Sequence, residues 1–129
     1  MIRELQKADI NQVADIWLDT NVTAHYFISS QYWQNNFELV KELLLQATVY
    51  VYEKNQEIQG FVGLNDEYIE GIFVSNEMQS HGIGKALLNY AKILFCKWVV
   101  IIRLFTVLRA HCIPVSHFFW RQNCHFNKF

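Results

Sequence analysis

Acidic residues are absent from position 78 to the end of this 129-residue chain. All twelve Asp and Glu residues lie within residues 1–77, whereas residues 78–129 hold seven of the eleven Lys and Arg residues. Glycine is absent after Gly84. The formal net charge of −1 therefore averages an acidic segment and a basic one, and it indicates neither a nucleic-acid partner nor a membrane surface.

Cysteine is scarce, and no long uncharged apolar run is present. The three cysteines are an odd number and no signal-peptide pattern begins the chain, so we expect no disulfide framework and a reducing, cytoplasmic location. The most apolar run, residues 93–108, contains Lys97 and Arg103. Because a membrane span needs about twenty largely uncharged residues, we expect no transmembrane segment.

Residue types that bind metals are present near the C-terminus, but their spacing is not typical of a metal site. Zinc motifs place two ligands a few residues apart, as in CxxC or HxxxH pairs, and neither pattern occurs here. We therefore expect no metal ion and, without an RNA-binding motif, no nucleic-acid partner. The residues concerned are Cys96, Cys112, His117, Cys124 and His125.

The hydrophobic pattern predicts the element order β-α-α-β-β-β-α, one sheet with helices packed on it. A strand is expected at 2–6 and a first helix at 10–19. The spacing of Asp9 and Gln12 predicts a capping box at the start of this helix. A polar break at 20–23 is expected to end it.

Along the sequence, three predicted strands lie between the second and the third helix. Ser29 or Ser30 is expected to cap the second helix, whose apolar stripe has helical spacing. A third helix begins near Ile83. The short turns between the strands predict an antiparallel meander. The predicted strands are 48–53, 58–64 and 68–74, and the stripe of the second helix is Trp33, Phe37, Val40 and Leu44.

The pattern degrades beyond residue 92. Residues 99–102 have strand character, but no cap, glycine turn or alternation organises residues 109–129. We interpret 1–92 as one unit and 93–129 as an atypical basic, aromatic-rich segment. Because natural domains are consistent at every level, the abrupt change suggests a frameshift or other rearrangement of the gene near codons 92–98. A diverged C-terminal half is the alternative.

The segment 79–88, Gln-Ser-His-Gly-Ile-Gly-Lys-Ala-Leu-Leu, joins a predicted strand to a predicted helix. Gly82 and Gly84 allow the backbone to approach a ligand, and the helix N-terminus directs N–H groups at the loop. This predicts a main-chain cradle for pyrophosphate, with Lys85 attracting the anion. The P-loop pattern is absent, and Leu87 replaces the third glycine of the dinucleotide fingerprint. A tight turn without a ligand is the alternative.

The order Gln79-x-x-Gly82-x-Gly84, after a strand ending in Ile-Phe-Val, resembles motif A of the GNAT superfamily of acetyl-CoA-dependent N-acetyltransferases. The resemblance covers about residues 1–92 and points to a subgroup of small bacterial proteins, some of which acetylate protein lysines. It is carried further by Ile2-Arg3, Asp9-Ile10, Trp17-Leu18, residues 25–28, Tyr32-Trp33 and residues 57–63.

This resemblance implies an α/β fold with a GNAT-like mixed, mainly antiparallel sheet flanked by helices, whose C-terminal strands and helix are lost or altered. It implies acetyl-CoA as co-substrate, without a metal, and a small-molecule or peptide amine as acceptor. A protein lysine or an N-terminus would be such an acceptor. The strand before motif A would bind the pantetheine arm through the backbone of Ile72, Phe73 and Val74.

The resemblance also implies the remaining binding residues. The loop amides would hold the pyrophosphate, and the first two helices with their connection would line the acceptor side. The loop residues are Gln79, Ser80, His81, Gly82, Ile83, Gly84 and Lys85. The acceptor-side residues are Trp17, His25, Phe27 and Trp33.

Acetyl transfer to an amine requires a proton acceptor, a donor to the oxyanion and a proton for the leaving thiolate. Glu70 is the candidate base, acting through water, and strand alternation predicts that it shares a face with Ile72 and Val74. A solvated strand carboxylate is the alternative. His25 is a second candidate, with a polar loop or core histidine as its alternative.

The C-terminal tyrosine that this family commonly uses as the thiolate's proton donor is not recognisable, since the last tyrosine is Tyr90. The alternative function is therefore a catalytically inactive GNAT remnant that at most binds CoA or a partner protein. Such a remnant could form a homodimer through its apolar tail.

Overall fold

The computed structural model describes residues 1–65 and 68–105, and the side chains of residues 96–105 are outside this description. The described part contains four strands and four α-helices, with short 3₁₀ turns at Lys7–Asp9 and Asn76–Met78. The predicted α/β class is confirmed, and the element order differs from the predicted one in a single respect, since two helices stand where one was expected before the second strand. The elements are β1 (Ile2–Glu4), α1 (Ile10–Ala24), α2 (Ser30–Asn35), α3 (Phe37–Gln46), β2 (Thr48–Lys54), β3 (Glu57–Leu64), β4 (Ile69–Val74) and α4 (Ile83–Phe105).

The four strands pair in the order β1-β2-β3-β4, and every neighbouring pair is antiparallel. The predicted meander is confirmed. Strands β2 and β3 are joined by Asn55 and Gln56, which have φ values of 54° and 63°. A two-residue hairpin turn with both central residues at positive φ matches the twist of the strands it joins.

Helices cover both faces of the sheet. Because side chains alternate along each strand, apolar strand residues are directed to both faces, and helices pack on each. On one face, here called the α1 face, the strand residues Val51 and Phe61 pack against α1, α2 and α3. On the other, the α4 face, Val62 and Leu64 pack against α4. The buried residues that α4 contributes are Ile83, Leu87 and Ala91, which follow one another at intervals of about one helical turn.

Helix α4 runs without interruption to Phe105, so the expected strand at 99–102 is wrong. Extending an existing helix requires no new nucleation, and β-branched residues cost only a few tenths of a kcal/mol each in a helix. The local strand propensity is therefore overridden.

Within the described residues, no helix combines the length and the apolar content required to cross a bilayer. The predictions for residues 109–129 lie outside the described residues.

Helix α1 continues through residues 20–23, so the expected polar break is wrong. Thr20 Oγ1 donates to Ile16 O at 2.6 Å, and Asn21 Nδ2 donates to Trp17 O at 2.8 Å. Both polar side chains are buried. Because each bonds within the helix, these residues satisfy their polar groups without ending it.

The predicted second helix is divided into α2 and α3 at Asn36. Ser29 caps α2 as predicted, since its Oγ accepts from the Gln31 N–H at 3.3 Å. Asn36 Nδ2 donates to Tyr32 O at 2.7 Å, and this side-chain bond competes with a continuous helical ladder. Trp33, on one side of the division, is buried, as are Val40 and Leu44 on the other.

Arg3 connects β1, β2 and the start of α1. Its Nη1 and Nη2 bind the Asp9 carboxylate at 2.6 and 3.0 Å, and its Nε binds Glu53 Oε2 at 2.5 Å. Asp9 Oδ2 also accepts from the Gln6 N–H at 2.8 Å. The predicted capping box with Gln12 is therefore wrong, because the Asp9 carboxylate is directed back toward β1.

We expect the Asp9 carboxylate to make the fold sensitive to acid. Its hydrogen bonds with Arg3 hold the pKa of Asp9 below the ordinary value. Because that pKa is lower in the folded chain than in the unfolded chain, the stabilisation is present above the unfolded-state pKa and is lost as pH falls through the folded-state pKa. Asp9→Asn should reduce the free energy of unfolding at pH 7 by about 1–3 kcal/mol.

Urea unfolding at pH 7 and at about pH 3 tests this expectation. The wild type should lose more stability between the two values than Asp9→Asn does. Glu38→Gln is the control, because Glu38 is largely exposed and pairs with Lys41 on the surface of α3. Equal acid sensitivity of the wild type and Asp9→Asn would contradict the role assigned to this carboxylate.

Candidate active site

The chain between β4 and α4 forms a loop with two left-handed residues. Ser80 has φ 66° and Gly82 has φ 82°, on either side of His81. A Cβ atom built on Gly82 would meet nothing within 4 Å among the described residues. Because few L-residues adopt such a φ, glycine is explained here by backbone conformation, and the space beside it is open.

Side-chain amides hold this loop in place. Gln79 Nε2 donates to Val74 O and to Asn76 Oδ1, each at 3.3 Å. Asn76 Nδ2 in turn donates to Thr23 Oγ1 at 3.0 Å and to Asp19 O at 3.3 Å. The loop is therefore attached both to the strand before it and to the C-terminal half of α1.

The N-terminus of α4 presents backbone rather than side chain to the loop. Gly82 O accepts from the Ala86 N–H at 3.0 Å, which is the first turn of the helix. The amides before Ala86 have no helical carbonyl to bond, while the Ile83 side chain is buried in the core. This backbone arrangement is suited to an anionic group, and the exposed Lys85 adds positive charge next to it.

Gly60 on β3 sets how closely α4 approaches the sheet. A Cβ atom at this position would lie 2.8 Å from Phe73 O, 3.2 Å from Ile83 Cγ2 and 3.4 Å from Leu87 Cδ1. Only glycine permits this contact without a shift of the backbone. Gly60 therefore allows the first turns of α4 to pack closely on the sheet.

Strand β4 is at the edge of the sheet within the described part of the chain. The Phe73 ring stacks on Phe61 with centroids 4.8 Å apart, and Ile72 and Val74 pack toward α4. Their side chains are thus engaged in the core. What β4 offers a ligand is the backbone of its outer edge, which is the part predicted to bind the donor.

The structure brings together the four residues predicted for the acceptor side. The rings of Trp17 and Trp33 meet edge to face at 5.7 Å, His25 stacks on Trp33 at 5.5 Å, and Phe27 contacts His25 at 5.8 Å. Both tryptophans are buried, whereas Phe27 is 73% exposed. The tryptophans therefore support the cluster, and a substrate could reach Phe27 and the partly exposed His25.

Two further aromatic residues extend this cluster, and the sequence prediction of site residues omitted both. Tyr26 is 87% exposed and contacts Phe27 at 5.9 Å. Tyr32 is 42% exposed and contacts Trp33 at 5.1 Å. Their signal in the sequence was the high density of aromatic residues in a polar stretch, where no core stripe requires them.

Glu70 lies on the face opposite to the one predicted. Gly63 pairs with Gly71 but Leu64 pairs with Ile69, so Glu70 is the extra residue of a β-bulge. A Cβ atom on Gly63, which alternation places on the α1 face, would be 3.9 Å from Glu70 Cβ. The prediction that Glu70 shares a face with Ile72 and Val74 is therefore wrong, because the extra residue of the bulge shifts the alternation of side chains by one position.

The last tyrosine of the chain is on the other side of the sheet from Glu70. Tyr90 packs against Tyr50 on the α4 face, with ring centroids 5.1 Å apart. Burial raises the pKa of the Tyr50 hydroxyl, and Tyr90 adds to the effect. Both rings are therefore on the face of the sheet opposite to the one on which the acceptor-side cluster packs. No group of three or more His, Cys, Asp or Glu residues that could hold a metal occurs among the described residues.

The fold and its loop can be compared with known proteins. The family described as "Acetyltransferase (GNAT) domain" matches residues 46–122. The chain belongs to the GNAT acetyltransferase family. The match includes β2 to α4 and continues past residue 92, where the predicted boundary of the atypical segment lies.

Two curated relatives are similar to this chain over most of its length. Peptidyl-lysine N-acetyltransferase YiaC of Escherichia coli (strain K12) is 32% identical over 94 residues, covering 71% of this chain and 64% of the relative. Peptidyl-lysine N-acetyltransferase YjaB of Salmonella typhimurium is 30% identical over 91 residues, covering 70% and 63%. The chain therefore spans less than two thirds of the length of these relatives.

Solved GNAT structures share the fold. The apo form of YjaB from Escherichia coli gives a TM-score of 0.64 at 24% identity, covering 73% of this chain and 65% of that one. The PaiA N-acetyltransferase of Thermoplasma acidophilum, solved in complex with coenzyme A, gives 0.65 at 16% identity, covering 75% and 72%. These likenesses confirm the predicted GNAT-like architecture.

We expect Gly60→Ala to destabilise the protein by about 1–3 kcal/mol, because the new methyl group would overlap the Phe73 carbonyl oxygen of β4 and crowd the Ile83 and Leu87 side chains of α4. Urea unfolding measures the change. Gly63→Ala is the matched control, since its methyl group would be in ordinary van der Waals contact, 3.9 Å from the nearest described atom. Equal stability of the two variants would show that Gly60 does not set the distance between helix and sheet.

Proposed function

We propose that this GNAT protein transfers the acetyl group of acetyl-CoA to a primary amine, and that the acceptor is a lysine side chain of a protein. The observation that carries the proposal is the open loop at Gly82. It follows the outer edge of β4 and ends at the N-terminus of α4. A backbone cradle of this kind suits the pyrophosphate of coenzyme A.

The donor would bind through main-chain groups on two consecutive elements. The pantetheine arm would extend along the outer edge of β4, at Ile72, Phe73 and Val74. The pyrophosphate would accept hydrogen bonds from the amides of the loop and of the first turn of α4. These amides belong to Gln79, Ser80, His81, Gly82, Ile83, Gly84 and Lys85. The Gln79 side chain supports the loop and leaves binding to its backbone.

The reaction requires one proton to leave the amine. The neutral amine nitrogen attacks the thioester carbonyl carbon, a C–N bond forms, the C–S bond breaks, and the thiolate takes up a proton. Glu70 is the group we propose as base, acting through a water molecule. It lies on the α1 face, on which α1 and α2 also pack, and these helices and the connection between them contain the acceptor-side cluster. His25 is the second candidate, since it lies within that cluster.

The relatives favour a protein lysine over other amines. Both curated relatives described above have names that specify peptidyl-lysine as the acceptor. The exposed rings of Tyr26 and Phe27 offer faces that attract a cation, as a lysine ammonium group is before it loses its proton. These names lend no support to the alternative of an inactive remnant. A cytoplasmic location remains part of the proposal.

Donor binding is tested by calorimetry with acetyl-CoA. We expect Gly82→Val to weaken binding by at least about tenfold, because a β-branched residue disfavours the left-handed φ and its side chain would occupy the open cradle. Ser80→Gly is the control, since it keeps the backbone amides and relieves a positive φ. Circular dichroism confirms that both variants fold. An unchanged affinity of Gly82→Val would place the donor elsewhere.

Acetyl transfer is tested by measuring release of the coenzyme A thiol with different acceptors. A peptide with an internal lysine and a blocked N-terminus should be acetylated. The same peptide with arginine in place of the lysine should give only background hydrolysis, because the guanidinium keeps its charge and is a poor nucleophile. Equal rates for the two peptides would contradict a lysine acceptor. Binding of acetyl-CoA without any thiol release would favour the inactive remnant.

A further inference from the structure

We propose that Asn65 positions Glu70 for catalysis, and that Gly63 keeps open the space in which the water molecule beside Glu70 is held. This inference deepens the proposed acetyl transfer and rests on it. It assigns a role to two residues outside motif A and outside the aromatic cluster. Both residues lie where β3 ends and the chain turns toward β4.

The bulge directs the Glu70 side chain to the α1 face. Glu70 and Gly71 together lie opposite Gly63 on β3, and neither Gly63 nor Gly71 has a side chain beside that of Glu70. Within the described residues, the only atom within 4 Å of a Cβ built on Gly63 is Glu70 Cβ. The Glu70 side chain therefore borders space on the α1 face that no side chain at position 63 fills, and its carboxylate oxygens can accept hydrogen bonds from a water molecule placed there.

Asn65 is hydrogen-bonded to this carboxylate. Its backbone N–H donates to Tyr68 O at 2.9 Å, which holds the start of the turn against its end. Its side-chain Nδ2 donates to Glu70 Oε1 at 3.4 Å. The bond restrains rotation of the Glu70 side chain and engages only one of the two carboxylate oxygens. An amide does this without adding a charge, whereas an aspartate would repel the carboxylate.

The two residues thus have separate tasks. Asn65 orients Oε1, and Gly63 provides room on the α1 face, where the acceptor amine is expected to approach. A catalytic group must be held to a fraction of an ångström, and a misplacement of 1 Å costs roughly a hundredfold in rate. A substitution at either position should therefore reduce turnover and leave the donor cradle, at the other end of β4, intact.

Steady-state thiol release with the lysine peptide tests this role. Asn65→Asp and Gly63→Ala should each lower kcat by about 10- to 100-fold, with KM for acetyl-CoA and its affinity by calorimetry unchanged. Asn35→Asp is the matched control, because Asn35 accepts a hydrogen bond from Gln31 on the exposed surface of α2. It should keep the kcat of the wild type.

A double-mutant cycle with Glu70→Gln distinguishes positioning from general loss of structure. If Asn65 acts through Glu70, the variant Asn65→Asp/Glu70→Gln has the same kcat as Glu70→Gln alone. Additive losses, or full kcat in Asn65→Asp, would overturn the inference and leave acetyl transfer in place. Full kcat in Glu70→Gln would also overturn it. A wild type that releases no thiol with any amine would remove the proposed function itself.

Discussion

The close contact between α4 and the sheet at Gly60 is the constraint on which the arrangement of the site depends. The N-terminus of helix α4 ends the loop that is proposed to bind the donor. Its first buried residue, Ile83, would be in tight contact with a side chain at position 60. Since the loop from β4 to α4 is short, moving the helix would move every amide in it. A glycine outside the loop thus contributes to the packing of the helix at which the loop ends.

Strand β4 combines two ways of presenting chemical groups. At its C-terminal end, the side chains pack into the core and only backbone faces outward. At its N-terminal end, the bulge at Glu70 transfers a carboxylate to the α1 face. Regular alternation along the whole strand would have directed that carboxylate toward α4, away from the aromatic cluster. The irregularity is therefore what makes Glu70 compatible with an acceptor on the α1 face.

The features predictable from the sequence were those set by local pattern. The meander followed from short turns between β-branched runs, and the left-handed turn at Gly82 followed from a glycine placed between a strand and a helix. The face of Glu70 was not predictable by alternation, because the bulge is defined by pairing with a different strand. The length of α1 was missed for a related reason. The bonds of Thr20 and Asn21 to carbonyls one turn earlier are visible only once the helix exists.

For the aromatic site residues, the sequence predicted membership of one cluster but not which rings are exposed. Trp17 and Trp33 were predicted on the acceptor side and do lie in one cluster, but their burial gives them a supporting place that a sequence pattern cannot distinguish from contact with substrate. Phe27 and its neighbour Tyr26 are exposed on the same cluster. Whether a ring points inward or outward depends on the packing of three helices, which no single segment encodes.

Asn76 joins two regions that are 53 residues apart in the chain. Its side-chain Nδ2 donates to Thr23 Oγ1 on α1, and its Oδ1 accepts a hydrogen bond from Gln79 Nε2 in the loop. The loop between β4 and α4 is thus attached to α1 as well as to the sheet. In evolutionary terms, position 23 and position 76 share one hydrogen bond, and a change at one alters the selective value of the residue at the other. We expect these two positions to vary together among relatives that keep this loop.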